Sequence, residues 1–280
     1  MKLSEKSMLI TLNISQWSAR KKDANATKAI HTQYGADEKA GTYSKSLIAK
    51  EHLEEIKKAA TEARTHHYKY TLPWLDTGAR ILPTAHFDKY TEGMRAHRQT
   101  FEAHVENFLA SYPDYVEQAR YVLNGLFSEA DYPPLNAMFK KFKFNTEILP
   151  MPDSDDFRVQ LQAEDLERIK RNTEERLQAA TATATQDIKD RTLELVGRMA
   201  ERLSDPKNVF RDSLVENLKE LVDLLPGLNI TGDPRIDQLR QDLGKLTEHG
   251  PEMLRNHKPA RAKVATEANN ILNKMSGYFG

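Results

Sequence analysis

A run of roughly forty residues without proline, from Ala163 to Leu203, constrains the fold more than any other feature. Apolar and small residues recur along it at spacings of three, four and four, an eleven-residue period typical of a straight or slightly right-handed helix. At about 1.5 Å per residue this helix would be about 60 Å long. A helix of this kind needs a packing partner to be stable. The recurring residues are Leu166, Ile169, Thr173, Leu177, Ala180, Ala184, Ile188, Arg191, Leu195 and Met199.

The apolar seam of this helix is thin, because Ala179–Thr185 offers only small side chains and Arg191 interrupts it. After Pro206 a more apolar helical face follows. We therefore predict self-association through the long helix and the C-terminal helices. The pattern fits packing against the same chain or against a second copy. The predicted contact residues are Leu166, Ile169, Leu177, Ile188, Leu195, Met199, Phe210, Leu214 and Leu218.

The N-terminal half contains a strand pattern at its start, with apolar residues at Leu9, Ile10, Leu12 and Ile14. Its predicted partner strands are Lys143–Leu149 and Phe157–Leu161. Between them we predict helices near Asp23–Tyr34, over Lys50–Tyr70 and from Thr84 toward Tyr112, where Pro113 ends a helix or restarts the next. A break is predicted over residues 71–83.

These patterns predict a mainly α fold with three parts. Residues 1–160 form an N-terminal α+β domain with a small two- to three-stranded sheet. Residues 161–205 form a long, coiled-coil-like helical rod, and residues 206–280 a short C-terminal helical hairpin or bundle. A mean hydropathy of −0.68 and 29% charged residues fit an elongated, helix-rich chain with much surface.

The charge balance limits the classes of partner. Lysine plus arginine and aspartate plus glutamate each number 41, which argues against a duplex-DNA coat. Residues 1–70 carry 13 basic and 8 acidic side chains, residues 71–233 carry 20 and 28, and residues 234–280 carry 8 and 5. Basic ends around an acidic middle suit end-to-middle self-association or docking on an acidic partner, and they leave room for weak contact with nucleic acid. Self-association as a homo-oligomer is the simpler interpretation.

The chain has no cysteine, which excludes disulfides, thiolate metal sites and a thiol nucleophile. The apolar run Met8–Leu12 is too short for a signal-peptide core or a membrane span. We therefore expect a cytoplasmic protein without membrane contact.

Two segments combine aromatic and basic residues. The first contains Trp17, Arg20, Lys21 and Lys22, and the second contains Lys140, Lys141 and Lys143 interleaved with phenylalanines. Such segments can stack bases and bind the phosphates of a single strand, or anchor a protein partner. The simpler interpretation is that the aromatic rings belong to the core and the cations flank them.

Signals for an enzyme are weak. Asp76-Thr77-Gly78 resembles the aspartic-protease triplet, but it lies between helices in a chain with too little strand for that fold. His97 and His104 share a helical face with Phe101, which favours partly buried histidines over a metal site. No phosphate-binding glycine loop or nucleophile elbow is present. We predict a non-enzymatic protein without cofactor or metal.

The order of several features resembles a family of unknown function found mainly in phages and proteobacteria. The features are "ITLNISQWSARKK", "AGTYSKSLI", "KEHLEEIKKAATEAR", "ILP" opening a long helix, and "DDFRV". The resemblance covers residues 8–159. Members of that family are commonly encoded beside a MoxR or cobaltochelatase-type AAA+ ATPase and a von Willebrand factor A-like protein.

The resemblance implies an accessory component of an ATPase system, in the host cytoplasm if the gene belongs to a phage. The leading hypothesis is thus a self-associating adaptor protein with an AAA+ partner. The alternative hypothesis is a protein that binds or anneals single-stranded nucleic acid in phage replication or recombination.

Overall fold

The computed structural model describes residues 2–75, 78–154 and 162–279. Within them the predicted fold class is confirmed, since the chain is mainly helical with small sheets. The helices are α1 (Leu3–Lys6), α2 (Ala24–Tyr34), α3 (Glu54–Tyr70), α4 (Phe87–Leu123), α5 (Leu135–Phe139), α6 (Ala163–Ser204), α7 (Ser213–Leu228), α8 (Pro234–Leu246), α9 (Pro251–Asn256), α10 (Lys258–Asn273) and α11 (Met275–Phe279). The strands are β1 (Ser7–Ser15), β2 (Arg20–Lys22), β3 (Ser44–Ser46), β4 (Leu72–Pro73), β5 (Arg80–Pro83) and β6 (Lys143–Pro150).

The main sheet has the strand order β4-β5-β1-β6. The predicted pairing of the opening strand with a strand from Lys143 is confirmed, because β6 is the neighbour of β1. On its other side β1 runs antiparallel to β5, with Ser7 opposite Pro83 and Ile10 opposite Arg80. The third predicted strand, Phe157–Leu161, lies outside the described residues.

The predicted break at 71–83 contains β4 and β5, an antiparallel pair with Leu72 opposite Ile81. The prediction missed this pair because Pro73 and Pro83 read as breakers. Pro73 is tolerated because β4 lies at one end of the strand order, where a ladder N–H is dispensable. Leu72 and Ile81 are completely buried, so the short strands contribute to the core.

The chain forms two compact units. The helical unit comprises Met1–Thr11, Tyr68–Lys89 and Glu147–Gly280, and the aromatic unit comprises Leu12–His67 and Tyr90–Thr146. This division differs from the expected boundaries after residues 160 and 205. The reason is that α6 packs against α10, α7 and β4 within the helical unit.

The C-terminal part of α6 is packed within its own chain. Small residues such as Ala180 and Ala184 let a neighbouring helix approach closely, and α10 is the main partner. The buried line follows the predicted spacing to Ile188 and then shifts by one residue. The buried residues are Ala180, Ala184, Ile188, Thr192, Val196, Met199, Ala200 and Leu203. The first part of α6, from Ala163 to Ala179, has no fully buried side chain.

Arg191, which interrupts the predicted seam, holds α6 against the chain before β4. Its guanidinium donates to the carbonyl oxygens of Lys69 (3.2 Å) and Thr71 (2.8 Å) and contacts the Asp187 carboxylate at 2.6 Å. Arg80 also donates to the Thr71 carbonyl, at 3.1 Å. Burial raises the pKa of Asp187, and the charges of Arg191 and Arg80 oppose that rise. An arginine on a helix seam is therefore satisfied by backbone carbonyls.

The aromatic unit is built on α4, which buries one apolar face. Met94, Phe101, Val105 and Phe108 are buried along it. The helix continues through Pro113 to Leu123 instead of ending or restarting there.

Candidate interaction surfaces

The first basic segment lies on a two-stranded sheet of the aromatic unit. β2 runs antiparallel to β3, with Arg20 opposite Ser46 and Lys22 opposite Ser44, and its three residues are exposed. Neither Arg20 nor Lys22 forms an ion pair with any described residue. These two cations are therefore available to a ligand.

Lys21 is already neutralised by the fold. Its Nζ contacts Asp131 at 2.6 Å, and Lys45, which is only 5% exposed, contacts Asp131 and Asp23 at 2.8 Å each. Two lysines thus balance two aspartates. Lys21 is therefore less available to a ligand than Arg20 and Lys22, its neighbours in β2.

The pKa shifts in this cluster agree with the pairing. Hydrogen bonds from Lys21 and Lys45 lower the pKa of Asp131. The backbone N–H of Ala26 and the side chain of Lys45 lower that of Asp23, the N-cap of α2. Burial alone would lower the pKa of Lys45, but its hydrogen bonds to Asp131 and Asp23 outweigh burial and raise it. The lowered pKa values keep Asp23 and Asp131 ionised at neutral pH, and the raised pKa keeps Lys45 protonated.

Trp17 belongs to the core of the aromatic unit. It is 9% exposed, and its ring lies 6.4 Å from that of Phe108 and 5.9 Å, edge-on, from that of Tyr112. The ring therefore offers no face to a base or a partner side chain. For Trp17 the simpler interpretation, a core aromatic beside flanking cations, describes what the structure contains.

The second basic segment approaches the same aromatic cluster. Phe142 is buried and packs 5.6 Å from Phe108, the ring that Trp17 also contacts. The Ser15 hydroxyl donates to the Lys141 carbonyl oxygen at 3.3 Å, which joins the end of β1 to this segment. The two segments thus share one core.

The cations of the second segment, Lys140, Lys141 and Lys143, are exposed. Phe144 in β6 is buried, as is Phe142 directly before the strand. Phe139, in contrast, is 63% exposed. It is the aromatic ring of this segment that a ligand can reach. It is the last residue of α5 and directly precedes the lysines.

The residues predicted for self-association divide into two groups. Ile188, Met199, Phe210 and Leu218 are buried in the core of the helical unit, so they pack within their own chain. Leu166, Ile169, Leu177, Leu195 and Leu214 are half-buried. The sequence pattern fitted packing of these residues either within their own chain or against a second copy. The first group is buried within its own chain, so these residues are not available for contact with a second copy.

A cleft between α6 and α7 brings together three predicted contact residues, Leu195, Phe210 and Leu214. We call it the α6–α7 cleft, and it encloses about 490 Å³. Val209, which is 86% exposed, also lines it. The charged residues along the cleft are Arg198, Glu201, Arg202 and Arg211.

The floor of the cleft is held by a buried arginine from α10. Arg261 donates to the carbonyl oxygens of Arg202 (2.7 Å), Leu203 (3.2 Å), Asp205 (2.6 Å) and Asn208 (2.8 Å). These acceptors include the free carbonyls at the end of α6, where a cation is favourable.

Arg261 also contacts Phe210, the aromatic ring at the floor of the cleft. The guanidinium of Arg261 lies 5.5 Å from the Phe210 ring centre, and that of Arg255 lies 5.1 Å from it. Arg255 also donates to the Phe210 carbonyl oxygen at 3.2 Å. The segment before α7 is therefore fixed at both its backbone and its ring.

The sequence did not indicate four residues of the cleft, which are Val209, Arg198, Arg202 and Arg211. Val209 and Arg211 stand in the irregular segment between α6 and α7, where no periodicity marks them. Arg198 and Arg202 look like ordinary surface residues of the long helix α6. Only the packing of α6 against α7 brings them to one cleft.

No other constellation points to a reaction. His97 and His104 are half-buried, as predicted. In the described ranges, no group of three or more potential ligand side chains could hold a metal ion. Asp76 and Thr77 of the protease-like triplet lie outside the described residues. Among the helices that are described, none is long and apolar enough to span a bilayer.

The described residues form a mainly α-helical fold with a four-stranded sheet and a two-stranded antiparallel sheet. The chain belongs to the family described as "Protein of unknown function (DUF3150)", whose model matches residues 4–225. The expectation of a family of unknown function is thus confirmed, and the match extends through α6 into α7, beyond the expected limit at residue 159. No curated protein and no solved structure matches the chain.

Proposed function

We propose that the protein is a non-enzymatic adaptor that docks an acidic amphipathic helix of a partner protein in the α6–α7 cleft. The observation that carries this proposal is an almost fully exposed valine, Val209, beside an apolar floor and a row of arginines. Grooves of this composition bind helices through apolar anchors spaced three and four residues apart.

The charges along the cleft favour an acidic partner. Arg198 pairs with Glu194 at 2.6 Å, so its charge is partly used. Arg202 and Arg211 form no side-chain ion pair with a described residue, and Glu201 is the one acidic residue in the lining. Arginine forms two parallel hydrogen bonds with a carboxylate, which favours glutamates flanking the apolar face of the partner.

The size of the cleft supports a transient complex. Small interfaces with few buried anchors belong to the weak, exchanging class, so we expect a Kd in the micromolar range. Arginine and aromatic residues are the commonest energetic anchors of interfaces, and the cleft contains both.

The proposed partner is an AAA+ ATPase of the MoxR type. The resemblance to a family whose members are commonly encoded beside such ATPases supports this choice. We propose that the adaptor acts in the cytoplasm of a phage-infected or bacterial cell. Isothermal titration with the MoxR-type ATPase of the same genome tests it. Binding is expected for the native chain and for Arg95→Glu, an exposed arginine of α4, but at least tenfold weaker for Arg211→Glu. Equal affinities of the two variants would contradict the proposal.

Self-association is proposed for the first part of α6 only. Leu166, Ile169 and Leu177 remain half-buried there, whereas the following part of the seam is covered by α10. Light scattering coupled to size exclusion should give a discrete oligomer that Ile169→Glu converts to a monomer. A native chain that is monomeric at high concentration would contradict it.

A second candidate function is the binding of single-stranded nucleic acid by the aromatic unit. The exposed ring of Phe139 beside three exposed lysines favours it, since one stacked ring and unpaired cations suit a flexible strand. Anisotropy of a labelled oligothymidine should show salt-sensitive binding that Phe139→Ala weakens about tenfold. Binding that is insensitive to salt and to Phe139→Ala would exclude this function.

A further inference from the structure

A second cavity lies in the aromatic unit, where α2 meets the chain that returns from it. The cavity encloses about 550 Å³, within the range of small-ligand sites. Its lining includes Lys22 at the end of β2, Lys28 and His31 on α2, and Glu38 on the returning chain. All of it lies within one unit and does not involve the α6–α7 cleft.

The walls of this cavity are held by local hydrogen bonds. Gly35 ends α2 with a positive φ of 62°, and the backbone N–H of Ala36 donates to the His31 carbonyl oxygen at 3.0 Å. The chain then returns along the helix, where the Tyr43 N–H donates to Thr27 Oγ1 at 2.9 Å. The cavity is therefore a built feature of the fold.

The charge of the lining is positive. Lys28 and His31 stand one helical turn apart and so share a face of α2. Neither lysine of the lining forms an ion pair with a described residue, and Asp23, the nearest acid in sequence, is turned to Lys45 and the Ala26 N–H. Glu38 is the one acidic residue of the lining and opposes two lysines.

The hydroxyl groups add neutral donors to this charge. Thr32 and Thr42 line the cavity and are exposed, and neither side chain has a hydrogen-bond partner among the described residues. Lysine ammonium groups with hydroxyl donors match the oxygen atoms of a phosphate. The small side chains of Ala24 and Ala36 leave room for the organic part of the ligand.

We propose that this cavity, which we call the α2 pocket, binds a phosphate group of a nucleotide. The phosphate would lie between Lys22 and Lys28, with His31 at the same face. The group could come from a free nucleotide or from a single strand crossing the aromatic unit. This site is independent of the docking cleft, because each lies in a different unit.

Calorimetric titration of the full chain with ATP tests the proposal. Lys28→Gln should weaken binding about tenfold, because it removes one charge-assisted contact to the phosphate. Lys39→Gln is the matched control, since Lys39 is exposed on the returning chain but does not line the pocket. Glu38→Gln should strengthen binding about twofold to threefold by removing the opposing charge.

A competition experiment separates the two possible sources of the phosphate, a free nucleotide and a single strand. Oligothymidine without a terminal phosphate is added to the chain with bound ATP. Displacement of ATP would assign the pocket to strand phosphates, and no displacement would assign it to a free nucleotide. The proposal is overturned if neither ATP nor the oligonucleotide binds, or if Lys28→Gln and Lys39→Gln bind equally. None of these results bears on docking in the α6–α7 cleft.

Discussion

Lys45 in the aromatic unit and Arg261 in the helical unit are both buried cations, but they are satisfied in different ways. Lys45 is held by two carboxylates and by the carbonyl oxygen of Leu126 at 2.5 Å. Arg261 donates to four backbone carbonyls. The fork of a guanidinium reaches several carbonyls at once, whereas an ammonium is a single point charge. The two clusters should therefore respond differently to mutation and to pH.

The largest effect is expected from Arg261→Met. Four carbonyls would lose a donor, and each buried acceptor left unpaired costs about 1–3 kcal/mol, of which water recovers part. We predict a loss of about 3 kcal/mol in the free energy of unfolding, measured by urea denaturation. Arg261→Lys should lose less, because one ammonium still reaches some of the carbonyls. A loss below about 1 kcal/mol for Arg261→Met would show that these bonds contribute little.

Lys45→Met should destabilise the chain by about 2 kcal/mol, because Asp131 keeps Lys21 as a partner while Asp23 loses its cation. The double variant Lys45→Met with Asp23→Asn should recover part of that loss, measured by the same denaturation, because it removes the carboxylate that Lys45→Met leaves without its cation. If the double variant were less stable than Lys45→Met alone, the charge balance proposed for this cluster would be wrong.

The two clusters also differ in their response to acid. The pKa of Asp131 is lowered in the folded chain, so its contribution to stability is complete above its ordinary value of 3.8 and is lost as the pH falls through the folded value. Lys45→Met removes one cause of the lowered pKa of Asp131. The stability of this variant should therefore change less with pH below about pH 4 than that of the native chain. Carbonyls do not titrate, and Arg261→Met should keep the native pH profile. Thermal melts of the native chain and of both variants would check these two expectations. The melts should run from about pH 3 to about pH 7, a range that includes the ordinary carboxylate pKa of about 4.

Two helical glycines extend the comparison to packing. A Cβ at Gly93 in α4 would lie 2.1 Å from the His66 ring, whereas a Cβ at Gly197 in α6 meets nothing within 4 Å. Gly93→Ala should cost about 1.5 kcal/mol, and Gly197→Ala should add about 0.7 kcal/mol through helix propensity. Thermal melts of both variants measure the difference. Equal effects would mean that the His66 ring moves aside.

The sequence predicted those parts of the fold that depend on periodicity. The long helix was expected over Ala163–Leu203 and is observed over Ala163–Ser204, and β1 pairs with β6 as expected. Apolar spacing is a local property, so it can be read without knowing the partner.

Features that depend on long-range contacts could not be read in the same way. The β4–β5 pair is too short for a strand pattern and is stabilised by burial of Leu72 and Ile81. Arg191 looked like a defect of the seam, because its carbonyl acceptors come from a segment 120 residues earlier.

The candidate sites show the same limit. The sequence allowed Trp17 to be a core ring, the simpler interpretation, or an exposed anchor, because its burial depends on rings of α4 that lie far from it in sequence. Val209 has no periodic context at all. The basic residues could be found from composition alone. The cleft could not, because it is formed by residues that are distant in sequence and meet only in the folded chain.

The central claim is that the α6–α7 cleft docks an acidic amphipathic helix, and Val209 allows the most direct test. Val122 is a matched control, because it is 82% exposed in the other unit. Anisotropy should be measured with two labelled helical peptides that share a leucine face and differ only in flanking glutamates or lysines. We predict that the native chain and Val122→Glu prefer the glutamate peptide, and that Val209→Glu binds it at least tenfold more weakly. Equal binding of both peptides, or equal affinities of Val209→Glu and Val122→Glu, would contradict the account.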